Sequence, residues 1–190
     1  MNRRDAISRV GLLLGGAVIG AEFFISGCKS STSASGVADL SKPEIIAFLD
    51  EVGETILPAT SSPGAKAAEI GKFMGVMVTD CYKPADQEIF LKGISNIDEA
   101  CNKKFGKKFM EADAKQRTEL LTQLDAEQKA YTKTKKPEDT NHYFRMMKEL
   151  TLLGFFTSKP GATQALRYLP VPGKYDGNFP YKKGDKAWAT

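Results

Sequence analysis

Tyr143-Phe144-Arg145-Met146-Met147-Lys148-Glu149-Leu150-Thr151-Leu152-Leu153-Gly154-Phe155-Phe156 reads as an apolar helix that runs directly into Thr157-Ser158-Lys159-Pro160-Gly161. Beyond it come Tyr168-Leu169-Pro170-Val171-Pro172-Gly173 and Tyr175-Asp176-Gly177-Asn178-Phe179-Pro180. Four prolines and four glycines between 160 and 184 interrupt any long helix or central strand there. Proline lacks the backbone donor, and glycine costs ordering entropy. Yet Tyr168, Tyr175, Phe179, Tyr181 and Trp188 recur through this irregular run. Disordered tails are poor in aromatics, so the segment is expected to lie against a surface, its own or a partner's.

Working back from that helix, the chain shows four more. Ser41-Lys42-Pro43-Glu44 has the pattern of a capping box with proline in the first turn, followed by Ile45, Leu49, Val52 and Ile56 at helical spacing until Pro58. The next helix is expected over 66–81, with Ile70, Phe73, Met74, Met77 and Val78 on one face. Pro84 opens a third that carries Ile89, Phe90, Ile94 and Ile97 to about Phe105, where Gly106 stops it. A fourth covers about 114–131, then a lysine-rich loop leads to the helix beginning near His142, and a short helix is expected over 161–168. No segment alternates apolar and polar residues with the period of a half-buried strand. The fold class is therefore all-α: a small bundle of about five to six helices with an irregular C-terminal tail rich in proline, glycine and aromatic residues.

Residues 1–28 read as an export signal. Arg3-Arg4 precede an apolar run over 10–21 that is short for a membrane span and is followed by Glu22. Asn2-Arg3-Arg4-Asp5-Ala6-Ile7 resembles the signal of the twin-arginine translocase, with Ala6 where Phe is usual. An ordinary secretory signal with two arginines is the competing reading. Ile25-Ser26-Gly27-Cys28 resembles a lipobox, in which Cys28 takes the lipid, and the Ser-rich residues 29–40 would be its tether. A buried cysteine in an ordinary signal is the alternative. The domains expected are thus 1–28 signal, 29–40 linker, 41–168 helical domain and 169–190 tail. Lys29 after the cysteine offers no acidic retention signal, which favours the outer membrane of a two-membrane cell.

Chemistry-bearing residues are sparse. The 27 basic and 23 acidic residues balance too closely for a nucleic-acid binder. The glycines of the signal follow no strand, so no dinucleotide fingerprint exists, and neither a Walker loop nor a haem-attachment motif is present. Cys81, Cys101 and His142 are too few for a zinc or iron–sulfur site. If the third helix is continuous, Cys101 lies 17 residues beyond Pro84, about 25 Å at ~1.5 Å per residue. A disulfide spans only about 7 Å between Cα atoms, so two buried thiols are expected. His142, at a helix start, reads as structural. No catalytic, cofactor-binding or metal-binding residue emerges.

Several blocks taken together resemble a known family. Ile56-Leu57-Pro58-Ala59-Thr60, Pro63-Gly64-Ala65-Lys66, Asp80-Cys81-Tyr82, Lys148-Glu149-Leu150-Thr151, Gly154-Phe155-Phe156-Thr157-Ser158 and Val171-Pro172-Gly173 with Tyr175 and Gly177 are similar, in this order, to the small subunit, or subunit 3, of gluconate 2-dehydrogenase. The resemblance implies a small helical, exported subunit without a redox centre of its own. Its expected partner is a large FAD-dependent dehydrogenase of the glucose–methanol–choline type, with a cytochrome c subunit often taking the electrons. It also implies that the folded flavoprotein rides on this chain's twin-arginine signal to the periplasmic side; the lipobox departs from the simplest family pattern and adds a tether to a membrane. Phe155, Phe156, Tyr168, Tyr175, Phe179, Tyr181 and Trp188 are the candidate contacts, being of types favoured at interface hot spots. Packing on the chain's own helices is the competing reading for Tyr168 and Phe179. A free-standing periplasmic lipoprotein scaffold or ligand-binding module is the alternative function.

Overall fold

In the computed structural model, which describes residues 34–171 and 173–189, five α-helices carry the core: α1 Pro43–Ile56, α2 Ile70–Cys81, α3 Pro84–Phe105, α4 Ala114–Thr134 and α5 Tyr143–Thr157. No strand occurs among the described residues, and no helix among them is long and apolar enough to cross a membrane. The all-α bundle expected from periodicity is the fold observed. Arg3, Arg4 and Cys28 lie outside the described residues.

Helix α5 is the axis of the bundle, packed against all four of the others. Phe144, Met147, Leu150, Thr151 and Phe155 are buried along it, with Thr151 satisfied by donating from Oγ1 to Met147 O at 2.8 Å. Phe48, Phe90 and Phe109 fill the space around it, Phe48 and Phe109 with ring centroids 5.4 Å apart. Each such burial stabilises the fold by about 1.5–3 kcal/mol. Gly93 and Gly154 set how closely α3 and α2 approach α5. A Cβ on Gly93 of α3 would lie 2.6 Å from Tyr143 Cβ, and one on Gly154 of α5 would lie 2.5 Å from the Phe73 ring of α2.

The helix starts depart from the expected pattern. Ser41 is not an N-cap; it ends a 3-10 turn, Val37–Ser41, whose Leu40 is buried, and its Oγ donates to Ala38 O. Asp39 makes that turn by accepting from Ser35 N and Oγ, both at 2.8 Å, so the folded region starts inside the expected linker. The helix expected over 66–81 is broken. A 3-10 turn, Ala65–Ala68, ends at Glu69 with φ 51°, and α2 begins only at Ile70. The cause lies on α1. Glu54 accepts the backbone N–H groups of Ala59 and Lys66, both at 2.9 Å, and Asp50 accepts that of Gly71 at 2.7 Å. Helix α2 is thus capped by a carboxylate from another helix, in the role a local N-cap normally has. Asp98 of α3 does the same for the turn Phe109–Glu111, accepting Phe109 N at 3.0 Å. Helix α3 is continuous and stops at Gly106 with φ 69°.

The tail folds back on its own start. The short helix expected over 161–168 is a single wide turn, Gly161–Ala165. Arg167 then pairs with the far end of the chain: its N–H donates to Ala187 O and its carbonyl accepts from Ala189 N, both at 2.9 Å. Its guanidinium lies 3.8 Å from the Trp188 ring centroid and 5.0 Å from that of Phe179, and the two rings meet edge to face at 5.5 Å. Lys186 Nζ adds a hydrogen bond to Gln164 O. Residues 168–187 therefore form a closed loop held by one cation clasped between two rings.

Two predictions follow from these contacts. Asp125 of α4 accepts from Lys148 of α5 at 2.6 Å and also from Lys129 and Gln128. Burial works to raise the Asp125 carboxyl, but the hydrogen bonds from Lys129, Lys148 and Gln128 outweigh it and hold the group at about 2. A carboxylate held below its unfolded value of about 3.9 stabilises the fold above that pH and loses the contribution as pH falls through the folded value. Asp125→Asn is therefore expected to lower Tm at pH 7, with the gap to wild type closing between about pH 4 and 2; a gap that does not depend on pH would refute it. Trp188 is the single tryptophan. In Arg167→Ala the clasp is lost, so Trp188 emission is expected to shift to the red while far-UV circular dichroism keeps its helical amplitude.

Candidate functional site

The residues able to do chemistry are dispersed. Cys81 and Cys101 are unpaired, as the continuous α3 requires. Only Cys101 is buried, however; Cys81 is exposed because it is the last residue of α2 and falls off the core-facing stripe. Burial pushes the Cys101 thiol up, which keeps it in the unreactive protonated form. His142 caps α5, its Nδ1 accepting from Phe144 N at 3.2 Å, while its ring stacks on Tyr143 at 4.4 Å and its Nε2 lies 3.6 Å from Glu127. Every polar atom of that ring is thereby used in structure. Burial, helped by Glu127, pushes the Tyr143 phenol up to about 12, so it is a poor proton donor near neutrality. Among the described residues no group of three or more His, Cys, Asp or Glu side chains is placed to hold a metal ion.

Two helix grooves are bordered by charged side chains that largely neutralise one another. The one between α3 and α4, about 660 Å³, is lined by Asn96, Glu99, Lys103 and Lys104, among others, and Lys104 is engaged by Glu119 at 2.8 Å and Gln123 at 3.0 Å. The one between α4 and α5, about 360 Å³, carries Lys129, Lys133, Arg145 and Lys148, of which Arg145 pairs with Glu149 and Lys129 and Lys148 with Asp125. Neither places a nucleophile beside a base.

The tail holds a third groove, about 830 Å³, lined by Leu169, Val171, Tyr175, Phe179 and Trp188 with Lys174 and Asp176 at its edge. It gathers three of the aromatic residues singled out in the sequence. Tyr175 is 96% exposed, Tyr181 77% and Tyr168 55%, so these side chains do not pack into the bundle. Phe179 and Trp188 are 48% and 42% exposed, each with one face against Arg167. Phe155 and Phe156, adjacent in sequence, part company: Phe155 is 2% exposed in the core, and Phe156, 40% exposed, stands on the surface with Leu152 and Leu153. Phe155 is therefore not available to a partner from the folded subunit. Arg167, which organises the tail, has no sequence signal of its own, because its two ring partners are 12 and 21 positions away.

The sequence blocks that suggested a family have structural work. Ile56 to Lys66 is the loop wound around the Glu54 carboxylate, and Gly64 sits so close to that carboxylate that a Cβ there would overlap it. Ser158 ends α5 by donating to Phe155 O at 2.6 Å and accepting Gly161 N at 3.2 Å. Tyr82, beside the α2 end, is half-buried, and burial raises its phenol. The positions shared by the resemblance thus define the bundle and the entry to the tail.

No curated protein and no solved structure matches the chain. A family profile described as gluconate 2-dehydrogenase subunit 3 matches residues 43–173, more than half of the chain. The match starts at the first residue of α1 and takes in the whole bundle; residues 174–189 of the tail lie beyond it. With the fold and the matched blocks in agreement, the chain belongs to the gluconate 2-dehydrogenase subunit 3 family, whose members are subunits of a dehydrogenase complex.

Proposed function

We propose that this chain is the non-catalytic accessory subunit of a membrane-associated, FAD-dependent sugar or sugar-acid dehydrogenase. Its role is to escort the flavoprotein through twin-arginine export, to stabilise it and to tether it at the periplasmic side of a membrane. The observation that carries the reading is the family match over 43–173. Two features support it. The described residues that could donate, accept or ligate are dispersed or committed to caps and ion pairs, whereas the most exposed large apolar side chains, Tyr175, Val171 and Tyr181, cluster in one tail. A chain that offers contact surface in place of an assembled site suits an accessory role. FAD belongs to the partner large subunit in this reading, with a cytochrome c subunit as the onward electron carrier. Which sugar is oxidised is a property of that large subunit.

The signal supplies the rest. Arg3 and Arg4 would route the complex to a translocase that accepts folded cargo, which a protein with FAD already inserted needs. Cys28, once acylated, would hold the subunit to the membrane with more than one chain, since a single acyl chain binds only marginally.

Full-length tagged protein solubilised from membranes is expected to bring down a yellow FAD-containing polypeptide, and Cys28→Ala to bring down the same partner from the soluble fraction. Recovery of this subunit alone, colourless, would refute the accessory role; membrane retention of Cys28→Ala would refute the anchor. Replacing Arg3 and Arg4 by lysine is expected to leave both chains in the cytoplasm, as read by fractionation, and normal export of either would remove the escort function.

A further inference from the structure

The tail, which begins inside the family match and runs past its end, is a built docking element, and its chemistry restricts what it can hold. Its two carboxylates are exposed, and each closes a turn: Asp176 accepts Asn178 N at 3.0 Å, and Asp185 accepts Lys182 N at 2.9 Å. Its cations are turned outward. Lys174, Lys182 and Lys183 are exposed, and no carboxylate among the described residues pairs with their ammonium groups. The same loop carries the apolar groove of Leu169, Val171, Tyr175, Phe179 and Trp188, with Lys174 and Asp176 also in its lining. One donor inside the element is also unfilled: Arg167 Nε is buried and has no acceptor, although both rings that clasp this guanidinium line the groove.

We infer that the closed loop 168–187 receives an apolar segment of a partner protein that is flanked by carboxylates, the apolar side chain entering the groove and the acids meeting Lys174, Lys182 and Lys183. This rests on the accessory-subunit reading above and adds the chemistry of the contact. Three unpaired cations against two carboxylates on the loop that carries the groove favour an acidic segment over a basic one, because like charges brought against them would repel. The Arg167 clasp is the positioning part. By closing the loop before contact it spares the partner the ordering entropy that an open tail would cost. Rim charges act mainly on encounter and are screened by salt, whereas the groove acts through desolvation and is not.

The test uses the full chain with its native leader, purified from membranes of its own cells, with recovered FAD-polypeptide as the readout. Wild type is expected to retain the flavoprotein best at low salt, with recovery falling as NaCl rises from about 0.05 to 0.5 M. The triple variant Lys174→Glu, Lys182→Glu, Lys183→Glu is expected to lose tenfold or more at low salt, and Tyr175→Ala to lose several-fold at every salt concentration. Arg167→Ala is expected to weaken recovery and Arg167→Lys to restore little of it, because a lysine keeps the charge without the planar stack. All of these changes are at tail positions, and unchanged helical circular dichroism confirms that the bundle is intact. Flavoprotein recovery by the triple variant equal to that of wild type would overturn the inference while leaving the accessory role standing. If that same variant also loses binding to phosphatidylglycerol vesicles in a Cys28→Ala background, the tail faces lipid and the inference is likewise overturned. Wild type recovering no flavoprotein at any salt would instead refute the accessory role itself.

Discussion

Everything in this subunit depends on α5 being surrounded. A 15-residue helix that touches four others must let each come close, and close approach is a question of what stands between the axes. At the two tightest places the answer is hydrogen: Gly93 faces Tyr143, and Gly154 faces Phe73. A methyl group at either point would push a helix outward and open a gap around the buried phenylalanines. Interiors packed to crystal density do not absorb such shifts; overpacking costs about 1–3 kcal/mol where it can be relieved at all. The same closeness explains why α5 has a uniform interior face and, at Leu152, Leu153 and Phe156, an exposed one.

Three aspartates show how the balance of burial and hydrogen bonding is struck in such a bundle. Asp50 and Asp98 cap segments of other elements and are raised, because burial outweighs the backbone N–H each accepts. Asp125 joins α4 to α5 and is lowered, because it collects hydrogen bonds from two lysines and a glutamine. At Asp50 and Asp98 a backbone donor and nearby lysines do not offset desolvation, whereas at Asp125 the direct hydrogen bonds from Lys129, Lys148 and Gln128 do. The first two carboxylates are thus retained at some cost in stability. What they contribute is geometry: Asp50 fixes where α2 begins, a start with no local side-chain cap, and Asp98 adds to the local bond from Lys108 N to Glu111 at the Phe109 turn.

That division also marks what could be read from the sequence. Helices α1, α3 and α5 were legible because their signals are local, in Pro43, Pro84, Gly106 and the spacing of Ile45, Leu49 and Val52. The break at Glu69 was not, since it is imposed by Glu54 and Asp50, from 12 to 21 positions upstream of the groups they bind. Ser41 carried a capping pattern that the buried Leu40 overrode. At the candidate surface, composition identified the tail aromatics as unusual, but Phe155 could not be told from Phe156 without the angle at which α5 meets α2. Arg167 was invisible for the same reason as Glu54: its role exists only after distant parts of the chain meet.

The energetics of the tail bear on its purpose. Closing a loop of about 20 residues costs roughly (3/2)RT ln n, about 2.7 kcal/mol, before side chains are ordered. Against this stand two main-chain hydrogen bonds at Arg167, each worth about 1 kcal/mol net, and a stacked cation worth about 0.5–2 kcal/mol. The two sides nearly cancel, so the clasp holds the loop closed with little to spare while leaving Tyr175, Val171 and Tyr181 in water. A segment built only to cover its own bundle would bury those side chains, since each burial would add to what the clasp provides. Leaving them outside gives the element a free-energy gain that can be realised only on contact with something else, and it makes the order of that tail responsive to whether the contact is made.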